Sequence, residues 1–251
     1  MKLIINADDF GLTNGVTYGI YDAVKNGIAT STTMMINTPG TKLAAGIIKS
    51  DKNLKVGLHL NLSLGKPLTS CESLVDENGC FIKPKILKSD ERYDEQEVYD
   101  EFEAQYAAFI ALTGKKPTHM DSHLYLHQIF PKVERQAKRL SEKFEIPLRK
   151  YDTKYYSGVY FEDRFKLAKD ESFILLKSKF KKLVAENSGK EVIELMAHPG
   201  YLDKEILEMS SYSFPRTEEG AVLKDPEIKE FISRNAVELI SFAELGRKYN
   251  G

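Results

Sequence analysis

Two adjacent carboxylates follow the first apolar segment of the chain, a position from which they can bind a metal ion or move a proton. Residues 3–5 are apolar and predict a buried strand, and Asp8 and Asp9 come soon after it. Because neighbouring residues on a strand point to opposite faces, both acids can serve one site only if the strand ends between them. Two like charges at close range push their pKa values apart unless a cation intervenes. We therefore expect one acid to bind a metal and the other to act as a base.

Histidines are the second group that can do chemistry, and each of the five lies in or next to the end of a predicted strand: His59, His119, His123, His127 and His198. The ends of parallel strands converge on one face of an α/β fold, where active sites lie. We therefore expect the histidines and the two carboxylates to meet at one site. Taken alone, His59 is better interpreted as a hydrogen-bonded core histidine. Because it is expected to lie near the other histidines and the two carboxylates, we interpret it instead as a site residue.

Residues 118–127 contain three of the histidines and are ambiguous locally. As a strand, the segment places His119, Asp121 and His123 on one face. As a helix, it places His119, His123 and His127 on one face at the spacing of a zinc motif. Prolines on both sides favour the strand, in which His119 and His123 lie ~13 Å apart, too far for one small ion. His123 is therefore the predicted ligand, and the roles of the other two histidines stay open.

A two-histidine, one-carboxylate metal site follows from Asp9, His59 and His123, with open positions for water and substrate. These ligands suit Zn²⁺, Mn²⁺, Co²⁺ or Fe²⁺ better than Mg²⁺, which prefers oxygen. Such a site fits metal-assisted hydrolysis, in which the cation polarises a carbonyl and acidifies a bound water. Asp8 is predicted to accept the proton of the water. His198 is predicted to protonate the leaving group or to stabilise an oxyanion.

Two arginines, Arg149 and Arg216, are the candidate cations for orienting Asp8 or for binding anionic groups of the substrate. For each of them, an ordinary surface or lid arginine is an equally good interpretation. The chain has no G-x-G-x-x-G motif, no P-loop and no G-x-S-x-G motif, which argues against nicotinamide, nucleotide and serine-hydrolase chemistry.

The elements that must position these residues alternate between strand and helix, which predicts an α/β fold with a parallel sheet. We count about seven strands, fewer than the eight of a full barrel. The predicted strands cover residues 3–5, 28–36, 55–62, 118–127, 146–149, 191–197 and 237–241. The predicted helices cover residues 14–26, 41–49, 94–112, 132–144, 173–187, 226–234 and 242–249. The chain is predicted to form one domain over residues 1–251, with a rim or lid insertion around residues 65–92, where the periodicity fails.

Composition bounds the partners and the location. The 251 residues carry a formal net charge of -1, so no overall field recruits nucleic acid or an anionic membrane. No segment approaches the ~20 apolar residues of a membrane span. The chain starts at Met1 directly before a strand, without the features of a signal peptide, so we expect a cytoplasmic protein in which Cys71 and Cys80 are reduced. A homodimer is the working expectation for the oligomeric state.

Five segments of the chain resemble the YdjC-like carbohydrate deacetylases, the family of chitooligosaccharide deacetylase. They occur in the order of the family and are spread over nearly the whole chain, residues 2 to 241. The segments are Asn6-Ala7-Asp8-Asp9-Phe10-Gly11, Val56-Gly57-Leu58-His59-Leu60-Asn61-Leu62, Thr118-His119-Met120-Asp121-Ser122-His123, Ile146-Pro147-Leu148-Arg149 and Ala197-His198-Pro199-Gly200.

This resemblance implies a distorted (β/α) barrel related to the polysaccharide deacetylases. It implies a divalent metal, magnesium by family, held by Asp9, His59 and His123, with Asp8 as the base. The implied reaction removes the N-acetyl group from a small amino sugar, such as diacetylchitobiose or its 6-phosphate. Because two of the three predicted ligands are imidazoles, zinc or another transition metal stays open.

Two other functions are weighed against this one. A sugar phosphoesterase or isomerase on a similar barrel would be favoured by a second metal site that uses Asp121 or His127. A carbohydrate-binding or regulatory protein that has lost catalysis would bind sugar without releasing acetate. The retention of the five predicted metal-binding and catalytic residues argues against the second of these alternatives.

Overall fold

A single sheet of seven parallel strands organises the chain in the computed structural model, which describes residues 1–153, 157–168 and 172–245. The strand order is β4-β3-β2-β1-β6-β5, and β7 pairs with the beginning of β1. The strands are β1 (Lys2–Phe10), β2 (Ser31–Met34), β3 (Val56–Leu60), β4 (Met120–Ser122), β5 (Val159–Glu162), β6 (Val192–Ala197) and β7 (Glu238–Leu239).

Helices connect the strands, as the parallel pairing requires. They are α1 (Asn14–Asn26), α2 (Thr41–Ser50), α3 (Pro84–Leu87), α4 (Glu95–Thr113), α5 (Leu126–Ile129), α6 (Pro131–Phe144), α7 (Phe173–Glu186), α8 (Lys204–Met209), α9 (Phe214–Lys224), α10 (Pro226–Arg234) and α11 (Phe242–Leu245). A 3₁₀ turn, His123–Tyr125, joins β4 to α5. Local signals set several of the helix ends: the Thr13 hydroxyl accepts a hydrogen bond from the Val16 amide at the start of α1, and Gly114, with φ 70°, ends α4.

The central strand, β1, is buried on both sides, and its two faces differ in chemistry. Leu3, Ile5 and Ala7 pack into the large core. Ile4 belongs instead to a small apolar cluster with Val192, Ile240 and Phe242. Farther along the Ile4 face come Asn6, which contacts His119, and Asp8, which contacts Arg149. The interior of the curled sheet therefore changes from apolar to polar to charged toward the carboxyl ends of the strands.

The predicted parallel α/β sheet of about seven strands is confirmed, although its membership differs from the prediction. Residues 146–149 contribute one parallel bridge, between Met120 and Leu148, rather than a full strand. The seventh strand is instead β5, in a part of the chain for which neither a strand nor a helix was predicted. Among the described residues no strand pairing joins β5 back to β4, so the barrel is open on that side.

Three further expectations can be compared with the structure. The predicted final helix begins at Phe242 and is described as far as Leu245, and its remainder lies outside the described residues. Cys71 and Cys80 are both free thiols. Of the helices in the described ranges, none combines the length and the apolar character needed to cross a bilayer.

Candidate active site

A cleft of about 470 Å³ opens at the carboxyl ends of the strands. Every residue that the sequence singled out for metal binding, catalysis or substrate binding lines it: Asp8, Asp9, His59, His123, Arg149, His198 and Arg216. These side chains come from well-separated parts of the chain, and the sheet topology brings them together. The cleft is therefore the candidate active site.

A β-bulge in β1 lets the two adjacent carboxylates share this cleft. Ala7 pairs with Thr32 and Phe10 with Met34, so two residues of β1 oppose one residue of β2. Asp9 has a φ of 74°, a left-handed conformation that aspartate tolerates better than most residues. Regular alternation would let both acids serve one site only if the strand ended between them, but the structure shows a continuous strand whose alternation is broken by the bulge.

The predicted metal ligands meet around one carboxylate oxygen. Asp9 Oδ1 lies 2.9 Å from His123 Nδ1 and 3.1 Å from His59 Nε2. One potential ligand atom from each of the three residues lies within 4.8 Å of the other two. His59 Nε2 is buried and forms no hydrogen bond, although it lies 3.1 Å from Asp9 Oδ1. A buried imidazole nitrogen left free in this way fits a metal ligand.

The other nitrogen of His59 is held by a second carboxylate. His59 Nδ1 lies 2.6 Å from Asp121 Oδ1, and the Thr33 hydroxyl donates to Asp121 Oδ2 at 2.9 Å. A carboxylate behind a histidine fixes the orientation and tautomer of a metal-binding imidazole. Burial opposes a charge on His59, but Asp121 and Asp9 outweigh it and raise the pKa of His59 to about 10. The site therefore favours positive charge at His59, either a proton or a bound cation.

Asp8 is held by a buried arginine. The Arg149 guanidinium donates from Nη1 and Nη2 to the two oxygens of Asp8, at 2.6 and 2.7 Å. It also contacts Asp121 at 2.9 Å and Glu194 at 2.5 Å. Burial raises the pKa of Asp8, but Arg149 outweighs burial and lowers it to about 2. Of the two roles considered for Arg149, these contacts favour orientation of Asp8.

Asp9 is held by the second arginine. Arg216 Nη2 donates to Asp9 Oδ2 at 2.7 Å, and Arg216 Nε donates to the Tyr212 carbonyl at 2.8 Å. Burial would raise the pKa of Asp9, but His123 and Arg216 hold it well below its usual range. Asp9 is therefore an anion whose second oxygen is already paired, which leaves Oδ1 for a metal.

His198 stands at the end of β6 on the same wall of the cleft. Its backbone amide donates to Glu219 at 2.5 Å, and its ring meets the Tyr212 ring edge-on at 5.8 Å. The Tyr212 hydroxyl donates to the other oxygen of Glu219. Burial lowers the pKa of His198 to about 4, although Asp9 and Asp8 oppose this shift. At neutral pH its imidazole is therefore neutral, with one nitrogen able to donate.

His119 and His127 lie behind the cleft rather than in its lining. His119 Nε2 lies 3.0 Å from Asn6 Oδ1, and its ring stacks on Phe242 at 3.7 Å. His127 Nδ1 lies 2.5 Å from the Ser122 hydroxyl, and its Nε2 lies 3.2 Å from the Arg149 carbonyl. Both histidines are therefore paired with other residues of the protein, and these contacts help to position the neighbouring residues of the site.

Three residues that position the site, Glu194, Tyr212 and Glu219, had no predicted role, and a fourth, Asp121, was considered only as a ligand of a second metal. For Glu194 a signal was present, because a carboxylate inside the apolar run of β6 needs a buried cation to pair with. The other three offered no comparable signal, since a polar residue in a strand end or in a connection is usual on a surface.

The fold and the cleft together define an open α/β barrel with a candidate metal-binding site at the carboxyl ends of its strands. The sequence pattern of the YdjC-like protein family matches residues 2–234. The chain belongs to this family, which confirms the resemblance seen in the sequence.

Relatives and solved structures agree with this assignment. The chain is 44% identical to carbohydrate deacetylase 2 of Listeria innocua over 99% of this chain and 100% of that protein. It is 36% identical to the chitooligosaccharide deacetylase of Yersinia enterocolitica over 96% of this chain and 98% of that protein. A crystal structure from Enterococcus faecalis, described as a candidate cellobiose-phosphate cleavage protein, matches with a TM-score of 0.83 and 33% identity over 98% of each chain.

More distant structures share the fold alone. A family 4 acetyl xylan esterase from Clostridium thermocellum matches with a TM-score of 0.54 and 12% identity, over 98% of this chain and 90% of that one. The expected relation to the polysaccharide deacetylase fold is thereby confirmed.

Proposed function

We propose that this protein is a metal-dependent hydrolase that removes the N-acetyl group from a small acetylated amino sugar, such as diacetylchitobiose or its 6-phosphate. The observation that carries the proposal is the convergence of Asp9, His59 and His123 on one point of the cleft, with His59 Nε2 buried and unpartnered. The names of the relatives support the reaction, and the volume of the cleft falls within the range of small-ligand sites.

The residues that would hold the metal are Asp9, His59 and His123, through Asp9 Oδ1, His59 Nε2 and His123 Nδ1. When bound there, a divalent ion supplies a Lewis acid that polarises the acetyl carbonyl and makes water more acidic. Magnesium is the ion implied by the family resemblance, whereas two imidazole nitrogens suit zinc or another transition metal. We therefore treat the identity of the ion as a variable of the assay.

Asp8 acts as the general base. Its carboxylate is ionised at every physiological pH, because its pKa is about 2, and Arg149 holds its orientation. Each carboxylate oxygen has a second lone pair, so Asp8 can accept a proton while Arg149 stays bound. Water attacks the acetyl carbon, and Asp8 takes a proton from it as the new carbon–oxygen bond forms.

His198 acts as the general acid. The carbon–nitrogen bond breaks as a proton passes from the imidazole to the amine nitrogen, and the products are acetate and the free amino sugar. Negative charge that develops on the substrate raises the low pKa of His198 toward the range in which it carries this proton. The proton that Asp8 takes from the attacking water passes, directly or through solvent, to His198, which gives it to the amine nitrogen, so Asp8 and His198 both return to their starting protonation states.

The phosphoesterase alternative needs a second ion, and the contacts of the described residues argue against one. Asp8, His59 and Asp121 also come close enough to share an ion. Arg149 already pairs with both carboxylates of that group, and its positive charge opposes a second cation there. The contacts therefore favour a single ion, which argues against the two-ion phosphoesterase.

Three other predictions stay part of this proposal. The chain is one domain in which residues 65–92 form a lid or rim, and Lys83, Pro84 and Lys85 of this segment line the cleft. The protein acts in the cytoplasm, and it forms a homodimer. Gel filtration of the purified protein tests the dimer.

Acetate release from a panel of N-acetylated mono- and disaccharides, with and without a 6-phosphate, tests the function. Each substrate is assayed after chelation and after addition of Mg²⁺, Mn²⁺, Co²⁺ or Zn²⁺, with Asp9→Asn as the inactive control. We expect acetate release that requires a metal and Asp9. Tight sugar binding without acetate release under every metal would instead establish the regulatory alternative.

A further inference from the structure

Buried polar atoms without a hydrogen-bond partner concentrate in the cleft. Five such side-chain atoms occur in the part of the chain that the structure describes, and three of them belong to cleft residues: His59 Nε2, His198 Nδ1 and Arg216 Nη1. The other two, on Tyr93 and Gln128, belong to residues that do not line it. A buried donor or acceptor without a partner is costly, so such atoms mark places where a ligand completes the site. The metal accounts for His59 Nε2 and leaves two atoms unexplained.

Arg216 is fixed so that its free nitrogen keeps one direction. The side chain is 3% exposed. Nε is bound to the Tyr212 carbonyl and Nη2 to Asp9, which sets the plane of the guanidinium. The Arg216 carbonyl accepts from the Gly200 amide at 3.1 Å, which ties α9 to the loop after His198. Since the charged Nη1 carries two donors, the partner that suits it is an anion or an oxygen that gains negative charge.

His198 lines the same side of the cleft as Arg216. The Tyr212 ring that packs on its imidazole belongs to the residue whose carbonyl holds Arg216. A neutral imidazole with its proton on Nδ1 is a second donor, so the wall can offer two donors to one ligand. A carboxylate, with two acceptor oxygens, matches that pair.

We propose that Arg216 Nη1, beside His198, forms a subsite for a short carboxylate. The subsite rests on the proposed function. It binds the acetyl oxygen of the substrate while negative charge develops on that oxygen, and it then binds the acetate product. Arg216 thus has two tasks, which fall on different nitrogens: Nη2 holds Asp9, and Nη1 binds the acyl oxygen. Arg149 cannot serve in this way, because each of its nitrogens already contacts a carboxylate.

Acetate binding tests the subsite without any sugar substrate. ¹³C-acetate is titrated into wild type, Arg216→Lys and the matched control Arg135→Lys, which alters a surface ion pair with Glu95. Titrations are run in the metal-free protein and at saturating metal, with methylammonium as a cationic probe. We expect acetate to bind wild type and the control equally, to bind Arg216→Lys about 10- to 100-fold more weakly, and methylammonium not to compete.

Three outcomes would overturn the subsite: no acetate binding to wild type, equal acetate affinity of wild type and Arg216→Lys, or a loss of metal affinity in Arg216→Lys with acetate affinity unchanged at saturating metal. The last result would leave Arg216 only the task of holding Asp9. If the variant does not fold, a wild-type crystal soaked in acetate decides, since a carboxylate oxygen must lie about 2.7–3.1 Å from Nη1.

The subsite and the proposed function can fail separately. Arg216-dependent acetate binding without acetate release from any sugar would retain the subsite and refute the deacetylase. Acetate release without Arg216-dependent acetate binding would retain the deacetylase and refute the subsite.

Discussion

Two buried arginines flank the adjacent carboxylates of β1, and they differ in how completely they are paired. Arg149 contacts three carboxylates, and each of its nitrogens has a partner. Arg216 contacts one carboxylate, Asp9, and its Nη1 has no partner. The half of the site around Arg149 is therefore saturated, whereas the half around Arg216 is incomplete.

This difference separates residues that hold the site from residues that meet a ligand. In the saturated half, every nitrogen of Arg149 already contacts a carboxylate and is not available to a substrate. The effect of this ionic cluster is therefore to fix Asp8 in position. The incomplete half includes the unpartnered atoms of His59, His198 and Arg216, and a metal with its substrate can complete it. Substitutions in the two halves should therefore have different consequences for folding and for binding.

The largest effect is expected in the incomplete half. Asp9→Asn and His59→Ala each remove one of the three proposed ligands, so we predict that both lose the metal and all acetate release while the fold remains. Metal content by atomic spectroscopy, acetate assays and circular dichroism check this. His119→Gln, which alters a histidine outside the cleft, should keep its metal. Full activity in either ligand variant would refute the assignment.

Asp8→Asn separates chemistry from metal binding at the boundary of the two halves. Because the role proposed for Asp8 is that of a base and not of a metal ligand, we predict that kcat falls about 10²- to 10⁴-fold while metal content is unchanged. Steady-state kinetics and metal analysis of one preparation measure both quantities. Loss of the metal together with activity would place Asp8 among the ligands instead.

Arg149→Met compared with Arg216→Met tests the saturated half by stability. Removing Arg149 leaves three buried carboxylates without their cation, so we expect a loss of about 3–5 kcal/mol in the free energy of unfolding. Arg216→Met leaves one buried carboxylate, that of Asp9, without its cation, so the loss in the free energy of unfolding should be smaller. Urea denaturation of both variants measures the difference, and equal losses would contradict the distinction between the halves.

Glu219→Gln probes the support of the incomplete half through pH. Burial raises the pKa of Glu219 from 4.5 to about 7, so the folded state retains a proton that the unfolded state releases. Wild type should therefore lose stability as pH rises from 4.5 to 7, by about 3 kcal/mol relative to the variant. Urea denaturation between pH 4 and 8 tests this, with the exposed Glu208→Gln as a control. Parallel pH curves for wild type and Glu219→Gln would disprove the shift.

Much of the fold was predictable because local patterns agree with tertiary burial. α1 was predicted over the residues it occupies, since Thr13 and Gly27 bound an apolar stripe. α9 was missed although Pro215 stands at its start. Its buried face includes Arg216 and Glu219, which serve the cleft and interrupt the apolar pattern. The site residues on α9 therefore obscure the apolar periodicity from which the helix could have been predicted.

The meeting of the candidate site residues in one cleft could largely be predicted, but the means of bringing them together could not. Strand ends converge in any parallel barrel, which is why the six candidates at predicted strand ends could be expected in one cleft, whereas Arg216, which lies on α9, had no such reason. The bulge that turns Asp9 beside Asp8 depends on the pairing of β1 with β2, and the 3₁₀ turn that begins at His123 follows the end of the pairing between β4 and β3. Those contacts are long-range and leave no local signal.

The most direct test of the account is to locate the ion. Crystals of the protein grown with Mn²⁺ or Zn²⁺ are measured at the absorption edge of the metal. The account predicts one anomalous peak, about 2.0–2.2 Å from Asp9 Oδ1, His59 Nε2 and His123 Nδ1. A peak held by other residues, or no peak in a preparation that releases acetate, would contradict it.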